Sequence, residues 1–185
     1  MGAKVPNGKE LLAMTKEIFN TDRVTPEQLS YVMDMLRPSS YALRNHTIKG
    51  RPMTFNVSGR NSEKAQSHRP WQIQMLNDPH PNLAVIKSRQ LGLSELGVLK
   101  LIHFLDTRSY DAVKALYAFP TNSQMEDFVK TRLDPALHQG YYSTILDPDT
   151  DSLKVKKIRD SFVFFRSSSK PGALEGKPQI CSLAN

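Results

Sequence analysis

The chain has 185 residues, a formal charge of +7 and a pI near 9.5, with 39% apolar and 23% charged residues. That length and composition suit one globular domain with an appendage and exclude a low-complexity or disordered chain. No apolar run approaches the ~18–20 residues of a membrane span, MGAKVPNGKELL has no signal-peptide core, and the single cysteine, Cys181, excludes an intrachain disulfide or cysteine metal cluster.

Cysteine usage fits a reducing cytosol. His46, His68, His80, His103 and His138 lack metal-ligand spacing. The basic excess favours a polyanionic partner without identifying one.

In chain order, GKELLAMTKEIFN (8–20) places Leu11, Leu12, Thr15, Ile18 and Phe19 near one helical face. In TPEQLSYVMDMLR, Thr25 is an N-cap, Pro26 the first helical residue and Gln28 completes a capping box, and Pro38 stops the helix. Residues 38–68 read as irregular and polar, with a short strand at 52–57. Arg44, Lys49, Arg51, Arg60, Lys64 and Arg69 face one acid, Glu63, which describes either a solvated linker or a phosphate-contacting arm. Residues 1–60 therefore read as a helical segment with a basic linker, and 61–185 as a second unit.

RPWQIQMLN predicts a short helix, 83–87 a buried strand, and 94–105 a helix apolar almost all round. The apolar run 112–119 ends at Pro120, and Thr121 caps a helix over 122–133. Alternation of this kind predicts a parallel sheet with helices on its faces. LDPDTD (146–151) is a turn, and strands are expected at 153–158, 161–165 and 180–183.

The chemistry lies in VIKSRQLGLSE (85–95). Strand, turn with one glycine, then helix is the layout of a phosphate loop, whose usual pattern is G-x-x-x-x-G-K-[ST]. Lys87 replaces the first glycine and Leu93 the lysine. Backbone N–H groups and a helix N-terminus supply the anion site. Gly92 permits close approach, the Ser94 hydroxyl can join a Mg²⁺ shell, and Lys87 or Arg89 can bring the cation. The alternative is a strand–helix turn in which Ser94 merely caps the helix. Upstream, Gln72 can donate to and accept from an adenine edge, with Trp71 or Arg69 beside it. A single Trp such as Trp71 reads more readily as a core aromatic.

Together these stretches resemble the large terminase subunit of tailed bacteriophages, the ATP-driven motor that packages DNA, over about residues 68–185. HRPWQIQML resembles its adenine motif. KSRQLGLSE resembles the lambda-type deviant Walker A, K-S-x-x-x-G-x-S, with the lysine at the front. YAFPTNSQ resembles the strand and turn after the first crossover, and FVFFRSSSKPGALEGKP the segment leading towards Walker B. The resemblance implies an α/β, RecA-like P-loop sheet of the additional-strand class, incomplete at its C-terminal end and preceded by a short helical segment. It implies ATP and Mg²⁺ held by Lys87, Ser88, Arg89, Gln90, Leu91, Gly92, Leu93 and Ser94, with adenine read by Gln72, Arg69 and Trp71. It further implies double-stranded DNA, a portal protein, a small terminase subunit and a homo-oligomeric ring as partners, in the host cytoplasm and transiently at the procapsid. The family's Asp-Glu pair ending an apolar strand is missing, so the Walker B carboxylate and the nuclease domain are expected after Asn185 and hydrolysis by these residues alone is expected to be nearly absent. The adjacent acids Glu126 and Asp127 lie in a helix instead. Another RecA-like motor, such as a helicase, or a non-catalytic DNA-binding or assembly module with a degenerate loop, are the alternative readings.

Overall fold

A computed structural model describes residues 6–55, 66–67, 71–80, 82–86, 92–169 and 181–184. The fold is mixed α/β. Two helices open it, α1 (Gly8–Phe19) and α2 (Pro26–Leu36), and both starts are written in the sequence. Asn7 Oδ1 accepts from the backbone of Lys9 and Glu10, while Glu10 returns a bond to the Asn7 N–H. Thr25 and Gln28 close the expected reciprocal box. Each box satisfies N–H groups that a helix start leaves unpaired.

The irregular reading of 38–68 needs correction. Pro38 ends one helix and opens another, α3 (Pro38–Asn45), because its fixed φ suits the first helical position and it has no N–H to lose. Ser39, Tyr41 and Ala42 of α3 are buried. Strands β1 (Thr47–Ile48), β2 (Arg51–Thr54) and β3 (Gln66–Ser67) make a small mixed sheet, antiparallel between the first two and parallel between the last two. Ala42, Met53 and Phe55 share a core cluster with Leu76, Leu96 and Leu99, so the N-terminal segment packs directly on the rest of the chain.

Helix α4 (Trp71–Leu76) is short, and α5 (Leu93–Thr107) is the long central helix. Leu96, Val98, Leu99, Leu101, Ile102 and Leu105 are all buried, as its nearly all-round apolar pattern requires. Gly97 lets strand and helix meet closely. A β-carbon there would stand 2.9 Å from the Tyr117 hydroxyl.

The main sheet has the order β5-β6-β4-β7, from β4 (Lys114–Phe119), β5 (Val155–Ile158), β6 (Ser161–Ser167) and β7 (Cys181–Ala184). β4 runs parallel to both β6 and β7, pairing Leu116 with Phe164 and Ser182. β5 returns antiparallel to β6, so the expected parallel sheet is mixed. The reason is the short Arg159-Asp160 turn, which closes a hairpin and leaves no room for a crossover; Arg159 takes φ 49° in it.

The buried strand expected at 83–87 is not formed over the described part. Residues 82–86 belong to no strand, and Leu83, Val85 and Ile86 are exposed, Ile86 fully. An apolar run becomes a buried strand only beside a partner, and residues 82–86 pair with no strand among the described residues.

α6 (Asn122–Phe128) starts on the Thr121 cap as expected. It then widens into a π turn over Val129–Leu133 and resumes as α7 (Asp134–Leu137). The cause is Pro135. It has no N–H for the Thr131 carbonyl, and its ring crowds that group. The Asp134 N–H accordingly bonds back five residues, to Val129. A last helix, α8 (Gly140–Ile145), brings Tyr142 into the core.

Candidate functional site

Gly92 precedes α5 in the left-handed region, at φ +74° and ψ 17°. A side chain is strained there, and a β-carbon on Gly92 would come 2.8 Å from Gln72 Nε2. Gln72 itself is buried, 2% exposed. The residue selected as an adenine reader and the glycine of the phosphate-loop pattern are thus neighbours in space.

Leu93 occupies the position of the usual lysine. Its side chain packs against the cluster of Leu76, Leu96 and Leu99, so a cation there would be pulled into apolar surroundings. Any lysine serving this turn must come from elsewhere in it. Ser94 is half-buried in the first turn of α5. It does not cap the helix: Gly92 is at the cap position, and no side chain bonds the first-turn N–H groups. Glu95, also in that turn, is held by His46 Nε2 at 2.7 Å, which ties α5's start to the end of α3.

Ser94 opens onto a cleft of about 370 Å³ lined also by Phe119, Pro120, Gln124, Asp127, Phe128, Thr131 and Arg132. The cleft lies past the C-terminal end of β4, where open α/β sheets place ligands. Sequence reading missed Gln124, Asp127 and Arg132. The adjacent acids Glu126 and Asp127 were visible, but only the folded helix shows that Asp127 lines this cleft while Glu126 pairs with Lys130.

Trp71 is 38% exposed and so is not a core aromatic. Arg69, Lys87, Ser88, Arg89, Gln90 and Leu91 lie outside the described residues. Among the described residues no group of three or more His, Cys, Asp or Glu side chains could hold a metal ion. Mg²⁺ arriving with a nucleotide needs only one or two protein oxygens, and the Ser94 hydroxyl and Asp127 carboxylate in one cleft fit that requirement.

Away from the cleft, Asp106 gathers three donors. Tyr41 and Tyr141 hydroxyls lie at 2.7 and 2.9 Å, and Arg159 Nε at 2.6 Å. Burial, together with the carboxylate, pushes the Tyr41 phenol far above its usual range. Burial alone pushes Tyr117 up to about 12. Lys156 is buried between Asp134, at 2.8 Å, and Asp151, which also meets His138. Although burial opposes it, these hydrogen bonds hold the Asp151 carboxyl below its ordinary value. Both networks fasten α5, α7, α8 and the β5–β6 hairpin around the core.

No helix among the described residues is long and apolar enough to cross a membrane. The chain matches no family model, no curated protein and no solved structure.

Proposed function

We propose that this chain is the ATP-binding part of a viral DNA-packaging motor of the large-terminase kind. The reading rests on one observation above the others: Gln72 and Gly92, from two separate motifs, meet at the start of α5. In this reading the backbone of Gly92, Leu93 and Ser94 cradles phosphate, Lys87 neutralises the β/γ charge and Arg89 approaches the γ-phosphate. Gln72 reads adenine, with Arg69 and Trp71 beside it. The Ser94 hydroxyl joins the Mg²⁺ shell. The finer architecture, an additional-strand, RecA-like P-loop sheet, belongs to the same proposal. So do double-stranded DNA, portal, small-subunit and ring partners in the host cytoplasm.

Phosphoryl transfer depends mostly on positioning and charge stabilisation. These residues can bind and orient a triphosphate, but the chain holds no Asp-Glu pair after an apolar strand to orient the attacking water. Binding with very slow turnover is the expected behaviour. Calorimetric titration of the chain with Mg–ATP tests it, with measurable affinity expected and a flat titration contradicting it.

A second reading has its own support. Exposed Leu83, Val85 and Ile86 favour an assembly surface, and the net charge of +7 a DNA contact, in a non-catalytic DNA-binding or assembly module with a degenerate loop. That module would bind DNA in a salt-sensitive way without binding nucleotide.

A further inference from the structure

The cleft beside Ser94 has a second wall that no motif supplied. Four charged residues lie on the α6 stretch: Glu126, Asp127, Lys130 and Arg132. Glu126 and Lys130 satisfy each other at 3.3 Å, one helical turn apart. Asp127 and Arg132 instead line the cleft and make no ion pair among the described residues. Asp127 comes from the last turn of α6 and Arg132 from the π turn that follows it. Residues five apart diverge around an α-helix but come together where the chain bonds back five residues, as Asp134 does to Val129. Pro135 therefore does more than interrupt a helix. It widens the stretch that carries Arg132, which lines the same cleft as Ser94. Thr131, between them, spends its hydroxyl on the Asp127 carbonyl at 2.6 Å, and Arg132 is the cationic donor of this wall.

We propose that Arg132 contacts the terminal phosphate of a Mg-bound nucleoside triphosphate in the cleft it lines with Ser94. The proposal rests on the nucleotide reading above. A guanidinium presents a planar fork to phosphate oxygens, which suits a terminal phosphate with several equivalent acceptors. Asp127 sets the form of the ligand: a carboxylate in the same cleft repels a bare polyphosphate and favours one carried with a hydrated divalent cation. Gln124 completes the wall as a neutral donor and acceptor.

The test is calorimetric titration of the full chain with Mg–ATP, Mg–ADP and Mg-free ATP. Arg132 is exposed, so Arg132→Ala is expected to melt like the parent. It is expected to lose about tenfold in Mg–ATP affinity, the size of one charge-assisted hydrogen bond, with Mg–ADP affinity unchanged. Arg132→Lys should recover part of that loss. Asp127→Asn should narrow the gap between Mg–ATP and Mg-free ATP. Equal affinities of parent and Arg132→Ala for Mg–ATP would overturn the proposal and leave the nucleotide site standing, as would equal losses for Mg–ATP and Mg–ADP. An unchanged gap in Asp127→Asn overturns the part given to the carboxylate. A parent chain that binds neither nucleotide overturns both the site and this refinement of it.

Discussion

Gln72 closes the space above Gly92: its amide nitrogen stands 2.8 Å from where a β-carbon on Gly92 would be. Backbone conformation and packing therefore demand glycine at the same position. Gly92→Ala is expected to cost roughly 1–3 kcal/mol, from the left-handed φ and from the displaced amide. Gln72→Ala in the same chain should return the packing share and leave the conformational share. Urea unfolding of the two single variants and the double variant measures the coupling, and strictly additive losses would show that the amide does not touch the glycine.

Asp106 fastens α3, α5, α8 and the β5–β6 hairpin through Tyr41, Tyr141 and Arg159. Asp106→Asn removes the charge and turns one acceptor into a donor facing donors. Arg159 is 46% exposed, so solvent screens its share. The expected loss is roughly 1–3 kcal/mol, most of it from the buried Tyr41 hydroxyl and the half-buried Tyr141. A fall in the urea midpoint checks this, and an unchanged midpoint would contradict it.

Lys156 is 1% exposed and lies between two carboxylates. Lys156→Met leaves Asp134 and Asp151 facing each other, at a cost of roughly 3 kcal/mol near neutral pH. The sign of its pH dependence follows from Asp151. Its folded pKa is depressed, so the stability it contributes is present above the ordinary carboxylate range and lost as pH falls through the folded value. The gap between parent and variant should shrink on acidification, which unfolding curves near pH 7 and pH 4 would show.

His103 carries the opposite charge logic with the same direction. Burial lowers its pKa, while its Nε2 faces the Asp34 carbonyl at 2.8 Å. As pH falls below about 6.5, the unfolded chain takes up the proton first, so stability is lost as pH falls toward the folded value. His103→Gln should flatten that limb of the stability curve below about pH 6.5. An identical slope in parent and variant would show that His103 does not carry it.

How much of this was legible depends on how local each signal is. The caps at Thr25 and Thr121, and the apolar runs of α5, β4 and β6, are local and gave their elements. Pro38 was misread because one proline can both end and begin a helix. Leu83–Ile86 was misread because a strand needs a neighbour, which no single run encodes. Gly92 and Ser94 were identifiable from spacing. Their juxtaposition with Gln72, Asp127 and Arg132 required α4 and α6 to be folded against α5. The widening at Val129–Leu133 follows from Pro135 only once the helix around it is known to continue.

The account stands on a triphosphate held at the start of α5 with its lysine moved to the front of the turn. Calorimetric titration with Mg–ATP, comparing the parent chain with Lys87→Ala and Ser94→Ala, tests this most directly. Saturable binding by the parent, weakened about tenfold or more in Lys87→Ala and by less in Ser94→Ala, is the predicted result. Parent-like affinity in Lys87→Ala would remove the moved lysine from its role, and no binding by any of the three would contradict the nucleotide site altogether.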